Sequence, residues 1–232
     1  MKINNNAAKA DEIVTRITAR DERGDFGRHI SDLTACLRRR WLDHYQPTTG
    51  PSPLGLTFLR GTILHEALSG HAEEVKREVD GLLGTVDHID DDGLWEWKTT
   101  MIWAGKLDDP TAWPESWLMQ MAAYCYMHGT LIINVGVLHL QGDGRSNRLA
   151  CLRVYRIEFT PEESLANWKI LRERSEVLTW KDLFGLHEPV EPPVHYRLGA
   201  WECRNCPHLS HCLPELKLLG DKVKEAPDGS SS

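Results

Sequence analysis

The chain has no long uninterrupted apolar run, and that absence excludes a membrane-spanning helix, which needs about 20 such residues. Its opening stretch, MKINNNAAKADE, lacks the apolar core of a secretory signal, so a cytoplasmic protein with no membrane partner is expected. Positive charge is also scarce: 27 Lys and Arg stand against 34 Asp and Glu, a net charge of -7. A chain of that sign does not coat duplex DNA by bulk electrostatics, and any contact with nucleic acid must be local. The densest basic run, Arg38-Arg39-Arg40, is short and reads as a solvated helix face. There is no internal repeat and no G-x-x-x-x-G-K-S/T phosphate loop.

At 232 residues there is room for one main core, with ordinary apolar and charged fractions. The apolar pattern predicts a helix over 7–20 and a second, N-capped by Ser31, through LTACLRRRWLDHY, which places Cys36 on a helix. A breaker-rich loop over 46–55 leads into a helix in LTFLRGTILHEALSGHAEE. There Leu56, Leu59, Ile63 and Ala67 make one stripe and His65 lies opposite. EVKREV, LLGTVDHI and LWEWKT read as an antiparallel meander, turning at Asp80-Gly81 and Asp90-Asp91-Asp92-Gly93. WPESWLMQMAAYCYMHG is a helix with Pro114 in its first turn, LIINVGVLHL and LACLRVYRIEF are strands, and Thr160-Pro161-Glu162-Glu163 is a capping box for a helix reaching about Phe184. The element order predicts a mixed α/β chain.

The stretch GTVDHIDDDGLWEWKTT concentrates chemistry. Glu96 and Lys98, two apart on a strand, leave on one face, and the hairpin folds Asp87 toward them. Two carboxylates so close stay ionised together only beside a cation, and their oxygens suit a hard ion such as Mg2+ or Mn2+. Such an ion can acidify water and screen a phosphate while Lys98 meets developing negative charge, an arrangement suited to phosphodiester hydrolysis. The plainer alternative is a solvent-facing hairpin with a Glu96–Lys98 salt bridge, since D…E-x-K alone is short and common.

Near the other end, Cys203, Cys206 and Cys212 form C-x2-C-x5-C. Three close thiols suit a soft metal, and spacing leaves zinc, with His208 or His211 as a fourth ligand, open beside an iron–sulfur cluster. Cys125 and Cys151 lie in apolar contexts that favour buried thiols, and disulfides are disfavoured without an export signal.

Taken in order, His65 on a helix, G-T-V-D ending at Asp87, E-W-K at Glu96 to Lys98, and Gln120 and Tyr124 four apart on the next helix make a pattern that resembles the PD-(D/E)XK nuclease superfamily, in its RecB-like branch. The resemblance implies a restriction-endonuclease-like core, a mixed central sheet flanked by helices, over 21–200. It makes His65, Asp87, Glu96 and the Trp97 carbonyl metal ligands and Lys98 the catalytic lysine, with Gln120 and Tyr124 positioning that lysine or the DNA. Cys36, standing far upstream of the C-terminal three, is similar to the isolated cysteine of relatives that carry a four-iron four-sulfur (4Fe-4S) cluster. The implied cluster segment, 201–220, closes onto Cys36, leaving 1–20 a helical, partly mobile lead and 221–232 a disordered tail.

The implied activity is a Mg2+- or Mn2+-dependent exonuclease on single-stranded DNA ends, of the CRISPR-associated type or a phage relative, with CRISPR adaptation proteins or a helicase as partners. One or two of Trp103, Trp113 and Trp117 are candidates to stack on bases. The competing class is a nuclease-fold DNA-binding or adaptor protein without turnover. His71 and His88 are read as bystanders.

Overall fold

The Asp80-Gly81 turn places both residues at positive φ, 50° and 81°, the backbone that closes a tight two-residue hairpin. It joins β1 (Val75–Val79) to β2 (Leu82–Val86) in the antiparallel pair the sequence predicts. These coordinates come from a computed structural model that describes residues 26–46, 63, 67, 68, 74–102, 104–109, 112–140, 150–183, 203 and 206–212. The predicted helix over 7–20, the Pro-rich stretch EPVEPPVHYRLG over 188–199 and the tail lie outside the described residues. So does most of the His65 helix, of which Ile63, Ala67 and Leu68 are helical.

A second hairpin joins β3 (His88–Asp90) to β4 (Gly93–Thr100) through Gly93 at φ 112°. LLGTVDHI is therefore not one strand. The chain bends at Asp87, and β2 and β3 belong to different sheets. The bend has a visible cause: past the end of β3, the Trp97 amide has no ladder partner on that side, and Asp87 Oδ2 accepts its N–H at 2.5 Å. The side chain thus does the work of a strand, and the single meander is replaced by two hairpins.

The larger sheet runs β3-β4-β5-β6, with β5 (Ile132–His139) parallel to β4 and antiparallel to β6 (Cys151–Glu158). Parallel neighbours need a crossover, here α3 (Glu115–His128), with Pro114 at its N-cap rather than within its first turn. The molecule is a mixed α/β protein whose mixed sheet is flanked by helices. Among the described residues, no helix is long and apolar enough to cross a membrane.

The capping box forms as predicted: Glu163 N–H donates to Thr160 Oγ1 at 3.1 Å, and Thr160 N–H to Glu163 Oε2 at 2.8 Å. It starts α4 (Pro161–Leu183), whose Trp168, Leu171 and Leu178 are buried. They share a core with Ile133, Val135 and Val137 of β5 and Met121 and Tyr124 of α3. Trp168 also donates its indole N–H to Asp80 at 3.0 Å, tying the first hairpin to this helix.

The predicted helix over 31–45 is two helices, α1 (Ile30–Leu33), capped by His29 rather than Ser31, and α2 (Leu37–Tyr45). Cys36 is the extended N-cap of α2, not a helical residue. The break is held from 139 and 141 residues away, where the Arg174 guanidinium donates to the Ala35 and Leu33 carbonyls, each at 2.5 Å. Local propensity carries no trace of that partner. Nor is Arg38-Arg39-Arg40 a solvated face: Arg38 is buried, Arg39 pairs with Asp43 at 3.4 Å and Arg40 with Asp32 at 3.4 Å. Cys151, expected buried, is exposed at the first position of the edge strand β6, although it shares a face with the half-buried Arg153, Tyr155 and Ile157.

Candidate functional site

Strand β4 separates two kinds of chemistry by alternation. Glu96 and Lys98 leave on the α3 side, and Trp95 and Trp97 leave on the other. The two indoles stack with 5.5 Å between centroids, and His88, paired opposite Trp95, stacks on both. The Trp97 ring covers Gly136 of β5, where a Cβ would stand 2.0 Å from ring carbon, so only glycine fits. The indoles are thus a packing feature of the sheet's other face.

On the α3 side, Lys98 Nζ donates to Glu96 Oε1 at 2.5 Å and to Gln120 Oε1 at 2.7 Å. Gln120 passes the series on, its Nε2 donating to the Tyr124 hydroxyl at 2.7 Å. The i, i+4 spacing of Gln120 and Tyr124 stacks them on one face of α3, and the strand spacing of Glu96 and Lys98 brings that pair to meet them. The salt bridge of the plainer reading therefore forms, but not facing solvent: Glu96 is 3% exposed and the Lys98 side chain 12%. A buried ion pair is dearly desolvated, and replacement by apolar residues is often neutral or stabilising, so stability alone does not account for it.

The same residues open onto a cleft of about 920 Å3, which Asp87, Glu96, Lys98, Gln120 and Tyr124 all line. Burial, and then the negative charge of Glu96, hold the Tyr124 phenol well above its ordinary value, against a smaller pull from its bond to Gln120. Tyr124 is therefore a neutral hydroxyl that accepts from Gln120, whose amide orientation the donor-only Lys98 ammonium sets. Gly84, first residue of the G-x-x-D segment, explains the close approach of α3: a Cβ there would meet Met127 Sδ at 2.5 Å and the Tyr124 ring at 3.3 Å.

Of the sequence-predicted site residues, the structure gathers Asp87, Glu96, Lys98, Gln120 and Tyr124. His65 lies outside the described residues. Trp97 contributes its backbone amide to Asp87. Sequence reasoning missed the far wall, where His29, Ser31, Glu74, Lys76, Arg77 and Thr85 join the lining. The available signal was register: β1 precedes the Asp87 strand across a two-residue turn, so its residues must stand beside that strand. Trp113 and Trp117, candidates for base stacking, are half-buried and pack edge-to-face, with Trp113 against Tyr155 at 5.0 Å and donating to the Leu107 carbonyl. Trp103 lies outside the described residues.

At the cysteine segment, Cys36, Cys203, Cys206 and Cys212 are all half-buried. Burial raises the Cys206 thiol above its ordinary range, the hydrogen bond from the His208 backbone and Arg39 lower it, and Cys36 is close enough to add to the rise. His208, weighed in the sequence as a zinc ligand, is 1% exposed with Nε2 bonded to Asp43 Oδ1 of α2 at 2.8 Å. His211 is exposed beside it. Cys125 is buried as expected, its thiol pushed up to about 12 by desolvation.

Among the described residues, no group of three or more His, Cys, Asp or Glu is gathered so as to hold a metal. Asp87 and Glu96 supply two hard oxygen donors to one cleft, and Cys36 and Cys206 two soft donors at one place, so the donor chemistry at each site suits the ion class expected there.

No known family model matches the sequence, and no curated protein matches it. Among solved structures the chain is similar to "Crystal structure of SSO0001", at 17% identity and a TM-score of 0.48, over 90% of this chain and 96% of that one.

Proposed function

We propose that the chain is a Mg2+- or Mn2+-dependent deoxyribonuclease with a PD-(D/E)XK, RecB-like core, an exonuclease hydrolysing phosphodiesters at single-stranded DNA ends. The observation that carries this reading is the series Glu96–Lys98–Gln120–Tyr124, which holds an ammonium aimed into a cleft shared with Asp87. Asp87 and Glu96 would hold the divalent ion, with His65 the expected third ligand. When bound, that ion supplies an acidified water and screening of the phosphate's charge.

The chain's own residues supply the rest. In the hydrolysis, water oxygen bonds to phosphorus, the bond from phosphorus to the leaving oxygen breaks, and that oxygen takes up a proton. Lys98 carries a positive charge to where the phosphoryl oxygens gain negative charge, in a buried setting where such a charge acts strongly. Gln120 fixes Lys98 through its carbonyl; the ammonium only donates, so it sets that amide's orientation, and the Tyr124 hydroxyl receives the NH2 on the other side. Glu96 holds Lys98 in place by accepting from its Nζ.

Labelled single-stranded DNA incubated with Mn2+ tests the reading. The wild type should shorten it from an end, and chelator or Lys98→Ala should stop the reaction. If wild type and Lys98→Ala leave DNA equally intact, the chain is a nuclease-fold binding protein instead.

A structural 4Fe-4S cluster on Cys36, Cys203, Cys206 and Cys212 belongs to the same proposal. The nearness of Cys36 to Cys206 supports the four-thiol set, since a zinc site built from the C-terminal segment alone would not need Cys36. Protein purified without air should be brown, and Cys36→Ala should bleach it; a colourless protein with zinc bound reverses the choice.

A further inference from the structure

The wall of the cleft opposite α3 carries two cations that the proposed chemistry leaves unused. Lys76 and Arg77 of β1 both line the cavity that holds Asp87, Glu96 and Lys98. Adjacent strand residues leave on opposite faces, so the two straddle β1. Among the described residues β1 pairs only with β2, and a strand crossing its other edge meets both side chains.

Register sets how far this lies from the reacting phosphate. Lys76 pairs with Thr85, which stands two residues before Asp87. One strand spacing across and two residues along place the Lys76 backbone about 8 Å from that of Asp87, roughly two nucleotides at the rise of a helical strand.

Local charge balance leaves these cations available. Glu78, the acid next along β1, is already matched by Arg28, which donates to its Oε1 at 2.5 Å and to the Gly81 carbonyl at 2.7 Å. No ion pair joins Lys76 or Arg77 to another described residue, and Glu74 is the remaining acid of the wall. On a chain of net charge -7, two such cations beside an acid-bearing cleft are a local exception to the repulsion a polyanion meets elsewhere.

We propose that Lys76 and Arg77 form a phosphate-binding subsite that holds the backbone of a single nucleic-acid strand beside its reacting end. It rests on the nuclease reading for its substrate, but acts in binding rather than in bond cleavage. The Ser31 and Thr85 hydroxyls on the same wall offer neutral donors to the same phosphates.

The test separates the two claims. Binding of a fluorescent oligothymidylate is titrated with Ca2+ in place of Mn2+ across a series of salt concentrations, for wild type, Lys76→Gln/Arg77→Gln and the control Lys169→Gln on α4. Hydrolysis of the p-nitrophenyl ester of thymidine 5'-monophosphate, too small to reach β1, is followed with Mn2+. Loss of two phosphate contacts should weaken binding about tenfold in low salt and shrink the slope of log K against log salt by about 1.4. Ester hydrolysis and the control should match wild type. Unchanged binding, weaker binding with an unchanged salt slope, or a parallel loss of ester hydrolysis each overturn the subsite. A wild type that binds the strand but never hydrolyses ester or DNA sinks the nuclease reading, and the binding comparison still decides the subsite.

Discussion

The carboxylate–lysine cleft and the cysteine segment are both closed by a bond between remote parts of the chain, but the atoms that make it differ in kind. In the cleft, the groups proposed to act are themselves the bonded groups: Lys98, bonded to Glu96, reaches Gln120 across 22 residues. In the cysteine segment a non-ligand makes the tie. His208 reaches Asp43 across 165 residues, while among the described residues the thiols do not gather into a set of three. The cleft therefore holds its geometry through the proposed active groups themselves, whereas the segment is held by His208, and the proposed cluster would have to draw its donors together.

The largest effect should come from breaking the cleft's own bond. Lys98→Ala removes the ammonium bonded to Glu96, which is 3% exposed, and breaking a buried ion pair in this way destabilises by about 3–5 kcal/mol. Urea melts in chelator should show that loss, and Mn2+ should restore much of it by giving Glu96 a new counter-charge. Glu96→Gln/Lys98→Met should recover most of the stability while remaining inactive. If the double variant is as unstable as Lys98→Ala, the ion pair is not what holds this region.

The cysteine segment should respond differently. Asp43→Ala strands the buried His208 ring and should cost about 1–3 kcal/mol. In iron-free protein, limited proteolysis should then release the end beyond residue 203, where the wild type resists; iron loading should restore resistance. Equal resistance of the two iron-free proteins would mean that docking does not depend on this pair.

What was legible in the sequence follows the range of the forces involved. The capping box, the Asp80-Gly81 turn, α3 and strands β5 and β6 depend on residues within a few positions, and each forms where the pattern puts it. Strand and helix periodicity fix that Glu96 and Lys98 share one face and Gln120 and Tyr124 another, while the meeting of these pairs with Asp87 was expected from the resemblance to the nuclease superfamily. The break before Cys36 was not, since Arg174 holds it from 139 and 141 residues away. LLGTVDHI reads as one strand because nothing local says that Asp87 will accept the Trp97 amide. Trp95 and Trp97 flank the acid and lysine in sequence yet lie behind them in space, where Gly136 makes room for one ring.

The smallest effect, and the sharpest on geometry, belongs to Tyr124. Its folded-state phenol is held above the ordinary value of 10.0 by burial first and by the Glu96 charge second. The neutral hydroxyl is thus favoured in the folded chain, so its contribution is complete below about pH 10 and is lost as pH rises toward the folded value. Above about pH 10 the unfolded chain has released the proton and the folded chain has not, and stability falls by up to about 1.4 kcal/mol per pH unit from this one group. Tyr124→Phe should lose about 1 kcal/mol near neutrality with the Gln120 bond, and show a shallower alkaline decline than wild type in thermal melts. The difference between the two proteins should therefore shrink as pH is raised. Curves that stay parallel through that window would place the phenol in contact with water, and Gln120 would then have no fixed partner with which to aim Lys98.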